Sequence, residues 1–95
     1  MNGDFDSIRN HHERSVSAAV RAAAPRFPHL HNEELLADIA CVALNRLPPR
    51  YIRHEVDFSF YLSDKERNET EKALAEAVKF AFEFVQARVA MRARG

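Results

Sequence analysis

Apolar positions recur along this chain at two periods, and each period predicts its own kind of element. Phe5, Ile8, His12, Val16, Ala19, Val20 and Ala23 fall near one face at helical spacing. A first helix is therefore expected from about Phe5 or Ser7 to Ala23. Asp4 and Asp6 suit its positive N-terminal end, and Pro25 stops it. The connector Arg26-Phe27-Pro28-His29-Leu30-His31 should plug Phe27 and Leu30 into the core. Asn32 is a good N-cap for a second helix, with Glu33 and Glu34 in its first turn. Leu35, Leu36, Ile39, Ala40, Val42, Ala43, Leu44 and Leu47 cover most of that helix's circumference, the pattern of a buried helix. Pro48 and Pro49 end it.

From Tyr51 to Tyr61 the period changes to two. Ile52, His54, Val56, Phe58 and Phe60 alternate with Tyr51, Arg53, Glu55, Asp57, Ser59 and Tyr61, which predicts an extended strand. No other segment carries this pattern, and a lone strand leaves backbone groups unpaired. It either pairs with its own copy across a two-fold axis or lies as an arm over the helices. The first choice favours a homodimer. Ser63-Asp64-Lys65-Glu66 is a capping box that opens a last helix, expected from Asp64 to about Arg92. Leu74, Ala77, Val78, Ala81, Val85 and Arg88 form one stripe of it, widened by Phe80, Phe82, Phe84 and Met91. Two short helices cannot cover so broad a stripe, and a partner subunit is the simplest source of cover. Arg88, Arg92 and Arg94 suit the negative end of this helix as a solvated basic terminus. The expected fold is mainly α: three to four helices in one domain spanning residues 1–95, an extended segment after the Pro-Pro pair, and a homodimeric assembly.

Composition narrows the function classes. The chain has 95 residues, enough for one small domain. Its 14 basic and 14 acidic residues balance, which argues against a general nucleic-acid binder. Arginine supplies most of the basic residues, a bias that high-GC codon usage also produces. The single cysteine, Cys41, excludes an internal disulfide framework and suggests a reducing, cytoplasmic setting. No apolar run resembles a signal peptide or a membrane span.

Little of the chain suggests catalysis. Cys41 has apolar neighbours, Ala40 and Val42, and reads as a buried inert thiol. Two glycines, Gly3 and Gly95, cannot build a phosphate-binding loop. The five histidines match no standard metal spacing, and adjacent His11 and His12 point to different helix faces. Glu55 and Asp57 alternate with Arg53 as a wet strand face rather than as a general acid and base. No catalytic and no metal-binding residues are assigned.

The segment around Pro48 and Pro49 remains. Arg46 lies on the last turn of the second helix, and Arg50 and Arg53 flank Tyr51 in a proline-stiffened stretch. Guanidinium forks bind phosphate bidentately, and Arg and Tyr planes stack on bases. This set suits a ligand that combines phosphates with bases. It equally suits internal pairing with Glu55, Asp57 and Asp38.

The run from Ile39 to Asp57 resembles the late competence development protein ComFB family. The core of the resemblance is A-L-N-x-L-P-P-x-Y, present as Ala43-Leu44-Asn45-Arg46-Leu47-Pro48-Pro49-Arg50-Tyr51. Asn10 and Glu13 ahead of an apolar stripe, and the long last helix, fit the family layout too. The continuation from Arg53 to Tyr61 looks like one branch of the family. The resemblance implies a small, mainly helical homodimer linked to DNA-uptake competence. It also implies a receptor without catalysis for a cyclic dinucleotide, cyclic di-GMP ahead of cyclic di-AMP, relaying to a partner such as a transcription factor. Carried onto this chain, the ligand would fall on Asn45, Arg46, Pro49, Arg50, Tyr51 and Arg53. Some members hold zinc through extra cysteines, which this chain lacks. Neither cofactor, direct DNA binding nor membrane contact is expected. The competing readings are a ligand-free dimeric adaptor presenting Phe58, Phe60 and Tyr61, and, last, a histidine-based metal hydrolase.

Overall fold

Asn10, Asn32 and Ser63 each stand where a helix begins, and with the proline stops they set out the architecture. The structure, a computed structural model, describes residues 3–54, 56 and 62–94. A single helical turn, α1 (Gly3–Asp6), leads into a two-residue strand, β1 (Arg9–Asn10). Helix α2 (His12–Ala23) follows, then two 3-10 turns, Ala24–Arg26 and Pro28–Leu30. Helix α3 (Glu33–Arg46), strand β2 (Tyr51–Ile52) and the 31-residue helix α4 (Asp64–Arg94) complete the described elements. The chain is mainly helical, as its pattern predicted.

The local reasons match the chemistry of the boundaries. Asn32 Oδ1 accepts from the Glu34 and Leu35 amides at 2.8 and 3.2 Å, satisfying two orphan donors of α3. Leu47 precedes Pro48, whose ring disfavours helical backbone there, and it is extended at φ −94°, ψ 142°. Ser63 and Glu66 close the expected capping box around α4: Ser63 Oγ accepts from the Glu66 amide and Glu66 Oε1 from the Ser63 amide, both at 3.1 Å.

Helix α3 packs against both α2 and α4. The core comprises Val16 and Val20 of α2, Leu36, Ile39 and Ala43 of α3, and Ala77, Val78, Ala81, Phe82 and Val85 of α4. Leu30 and Leu47 seal its ends, both buried. Phe27 stacks on Phe82 with centroids 4.5 Å apart and planes 16° apart, so the connector does reach the core. Among the described residues no helix is long and apolar enough to cross a membrane.

Five expectations need correction. The first helix does not start at Phe5 or Ser7. Asn10 caps a helix that starts at His12, and the residues before it form α1 and β1. The strand is not an orphan: β2 pairs antiparallel with β1, Asn10 opposite Tyr51 and Arg9 opposite Ile52. That internal pairing satisfies the backbone and removes the lone strand as an argument for a dimer. The strand is also short, because Arg53 bends and Val56 is helical. Glu55, Asp57, Phe58, Phe60 and Tyr61 lie outside the described residues. Helix α3 is not buried all round. Ala37, Cys41 and Asn45, four residues apart, are exposed opposite Leu36, Ile39 and Ala43. Cys41 is therefore an exposed thiol rather than a buried one.

Candidate functional site

The candidate site is the arm that leaves α3 at Pro48 and returns along β1. Leu47 anchors its root in the core, and two prolines fix the next φ angles. Prolines carry no amide hydrogen, so this stretch cannot hold itself in a helix or ladder and must be fastened from outside.

The fastening comes from the start of α2. Asn10 Oδ1 accepts from the His12 amide at 3.0 Å, and the Asn10 amide donates to Glu13 Oε2 at 3.2 Å. This pair is a reciprocal cap on α2. The same Asn10 oxygen takes a long hydrogen bond, 3.5 Å, from the Arg50 amide. The His11 amide donates to the Arg50 carbonyl at 2.6 Å. The His12 imidazole, only 5 % exposed, donates to the Pro48 carbonyl. Burial holds the His12 pKa below its ordinary 6.5, and the charges of His11 and Arg50 push the same way against the Pro48 carbonyl. Three consecutive residues at the start of α2 thus grip both the proline pair and Arg50.

Of the six residues assigned from sequence, Pro49, Arg50 and Tyr51 sit together on this arm, all exposed. Tyr51 is 69 % exposed and presents a ring for stacking. Arg50 lies close enough to Glu66 that its charge adds to the hydrogen bonds from Ser63 in holding that carboxyl below its usual range. Asn45, Arg46 and Arg53 have other engagements. Asn45 Nδ2 donates to the Cys41 carbonyl at 2.9 Å, folded back on its own helix. The Arg46 guanidinium lies 3.9 Å from the centroid of the Phe80 ring on α4. Arg53 Nε donates to Ser7 Oγ at 3.0 Å, and its fork stands 3.6 Å from Asp4 Oδ1. Arg53 thus meets Asp4, at the start of the chain, among the described residues, while Glu55 and Asp57 of the expected pairing lie outside them.

Asn10 and His12 are parts of the candidate site that sequence reading did not assign to it. Each left a trace: Asn10-x-x-Glu13 is a cap pattern, and His12 is the one polar residue on the apolar face of its helix. A cleft of about 350 Å³ opens beside them between α2 and α4, lined by His11, His12, Ser15, Arg67 and Thr70. The arm and the adjoining cleft thus offer guanidinium groups, hydrogen-bond donors and an aromatic ring, with one carboxylate, Glu71, on the cleft wall, a set that suits an anion with planar parts. No group of three His, Cys, Asp or Glu comes within metal-binding range among the described residues. A larger apolar groove, about 690 Å³, runs between Ala19, Ala22 and Ala23 of α2 and Leu74, Val78 and Phe82 of α4. None of the six assigned residues lines it.

Compared with known proteins, residues 9–89 match the family model described as late competence development protein ComFB. The match starts at β1 and runs through the arm into α4. No curated protein and no solved structure matches the chain.

Proposed function

The chain belongs to the late competence development protein ComFB family, and from that premise we propose a competence-related regulator that acts as a dimeric receptor for a cyclic dinucleotide, without catalysis. Cyclic di-GMP is preferred to cyclic di-AMP, and the bound state is relayed to a regulatory protein such as a transcription factor. The observation that carries the reading is the fastened arm. Pro49, Arg50 and Tyr51 are displayed to solvent while Asn10, His11 and His12 hold their backbone in place. A preorganised Arg and Tyr lose little freedom on binding, which is where such a site gains affinity. Arg50 holds a phosphate through its fork and Tyr51 stacks on a base.

Calorimetry with cyclic di-GMP and cyclic di-AMP tests the reading. We expect a dissociation constant of about 1 µM or tighter, roughly −8 kcal/mol, for one of them. Arg50→Ala should weaken it by about 1.5 kcal/mol or more, some tenfold, the low end for hydrogen bonds to charged groups. Neither heat nor thermal stabilisation with either nucleotide overturns the receptor.

One observation favours a second reading, the ligand-free adaptor. Arg46 and Arg53 are engaged within the chain, on Phe80 and on Ser7 with Asp4. If Arg46→Ala and Arg53→Ala lower stability but leave nucleotide affinity unchanged, those two arginines serve the fold and the ligand set shrinks to the arm.

A further inference from the structure

The family match begins at residue 9, so the turn α1 lies ahead of it. Little packing holds this turn. Phe5 and Ile8 are exposed, and four residues are too few for a helix that is stable alone. Its polar groups meet Arg53 instead. Arg53 Nε donates to Ser7 Oγ at 3.0 Å, and Arg53 Nη2 stands 3.6 Å from Asp4 Oδ1. Ser7 Oγ donates its own hydrogen to the Asp4 carbonyl at 2.7 Å, which leaves its lone pairs to the guanidinium. The Ser7 amide closes the turn on the same carbonyl at 3.3 Å, and the Ile8 amide on the Phe5 carbonyl at 3.2 Å.

We propose that α1 is an autoinhibitory latch: Asp4 and Ser7 close the Arg53 fork until an anionic ligand displaces them. Nε and Nη2 form the two-donor edge with which an arginine grips two oxygens of one phosphate. Asp4 and Ser7 stand one turn apart and set two oxygens, a carboxylate and a hydroxyl, against that edge. They occupy the places that phosphate oxygens would take, so latch and ligand exclude one another at Arg53.

The latch is weak enough to be displaced. The Asp4 side chain is 92 % exposed and that of Arg53 49 %, and an ion pair so open to water contributes little. Its 3.6 Å separation is also longer than the about 2.7–2.9 Å of a charge-assisted hydrogen bond. A phosphate seated on the fork makes two such bonds. Strand β1 is the hinge. Its ladder ends at Arg9 opposite Ile52, so α1 swings away without opening the Asn10 cap or the grip of His11 on Arg50. The latch deepens the receptor reading and rests on it for the nature of the ligand. Arg53 is one of the residues assigned to that ligand, and its engagement with Ser7 and Asp4 is then the closed state of the site.

Nuclear magnetic resonance of the full chain, titrated with inorganic pyrophosphate at constant ionic strength, tests the latch without any nucleotide. The Arg53 Nε–H resonance should shift, and the Ser7 and Ile8 amides should move toward random-coil positions as the turn is released. Asp4→Asn combined with Ser7→Ala should lower the half-saturating pyrophosphate about fivefold, the upper end for an exposed pair. Both changes lie ahead of β1 and outside the core, so thermal unfolding should be unmoved. Arg53→Ala should release the turn with no pyrophosphate present. An unchanged half-saturation in the double variant overturns the latch, and so does an Arg53 shift that leaves the Ser7 and Ile8 amides in place. An Arg53 resonance indifferent to pyrophosphate in both proteins overturns it as well. Calorimetry with cyclic di-GMP then separates the two readings. Binding about fivefold tighter in the double variant supports the latch as the gate of the receptor site. Equal binding in the two proteins overturns it as that gate. No nucleotide binding in either, with the pyrophosphate competition intact, fells the receptor reading and supports the latch on Arg53.

Discussion

Helices α2 and α4 start with the same device and put it to different use. Each has a capping box, Asn10 with Glu13 and Ser63 with Glu66. At α4 the reciprocal bonds stay local, and Ser63 Oγ also donates to the same Glu66 oxygen at 3.0 Å. At α2 the cap is shared with a distant segment. The Asn10 oxygen has a second lone pair, and the Arg50 amide reaches it from forty residues away. His11 and His12 extend the grip to the Arg50 and Pro48 carbonyls. A cap becomes a tertiary fastener when a proline-rich strand with few donors of its own passes over it. The chemistry of the cap is legible from four residues; what passes over it is not.

The largest break in this comparison should come from His12. His12→Ala removes a buried ring, opens a cavity and leaves the Pro48 carbonyl without its donor. A loss of about 2–4 kcal/mol is expected from cavity and unsatisfied-acceptor effects together. Urea unfolding checks it. A loss below about 1 kcal/mol would show that the arm does not depend on this contact.

The caps themselves come next. Ser63→Ala should cost about 1 kcal/mol, the ordinary value for a cap. Asn10→Ala should cost more, about 2 kcal/mol, because the Arg50 amide loses an acceptor as well. The two variants are compared by unfolding under one set of conditions. Asn10→Ala should also loosen nucleotide binding, while Ser63→Ala should not. Equal costs would mean that the 3.5 Å bond from Arg50 contributes nothing, and the comparison between the two helix starts would collapse to geometry.

Sequence reading found what is local. Asn32, the proline stops, the Ser63 capping box and the plugging of Phe27 and Leu30 each depend on a few neighbouring residues, and each is present. It missed β1 because a two-residue strand has no period to detect. It read the first helix too far forward because Phe5 and Ile8 are at helical spacing, yet both stand exposed in the structure. It buried Cys41 because apolar neighbours surround it in sequence, while burial depends on which face α2 and α4 cover. Of the residues assigned to a ligand, Pro49, Arg50 and Tyr51 do stand together and exposed on the arm, and the family match spans it. The partners of its arginines were invisible, since Phe80, Ser7 and Asp4 are distant in the chain.

The smallest expected effect is also the most selective. Burial, aided by the charges of His11 and Arg50, holds the folded His12 pKa below 6.5, so the unfolded chain binds more protons in the window beneath that value. Stability should be complete above about pH 6.5 and should fall as pH drops toward the folded value. Lowered carboxyls such as Glu33 and Glu66, with an ordinary value of 4.5, act further down the scale. A stability profile between about pH 7.5 and pH 5.5 therefore isolates the histidine. Charging His12 also sets an imidazolium against Arg50, so the arm should loosen before the core does. Hydrogen exchange at the Arg50 and His11 amides should quicken over the same window, while the Ser63 and Glu66 amides at the other cap stay unchanged. In His12→Ala that pH dependence should vanish at the arm. If it persists, another group governs it and His12 is only a packing residue.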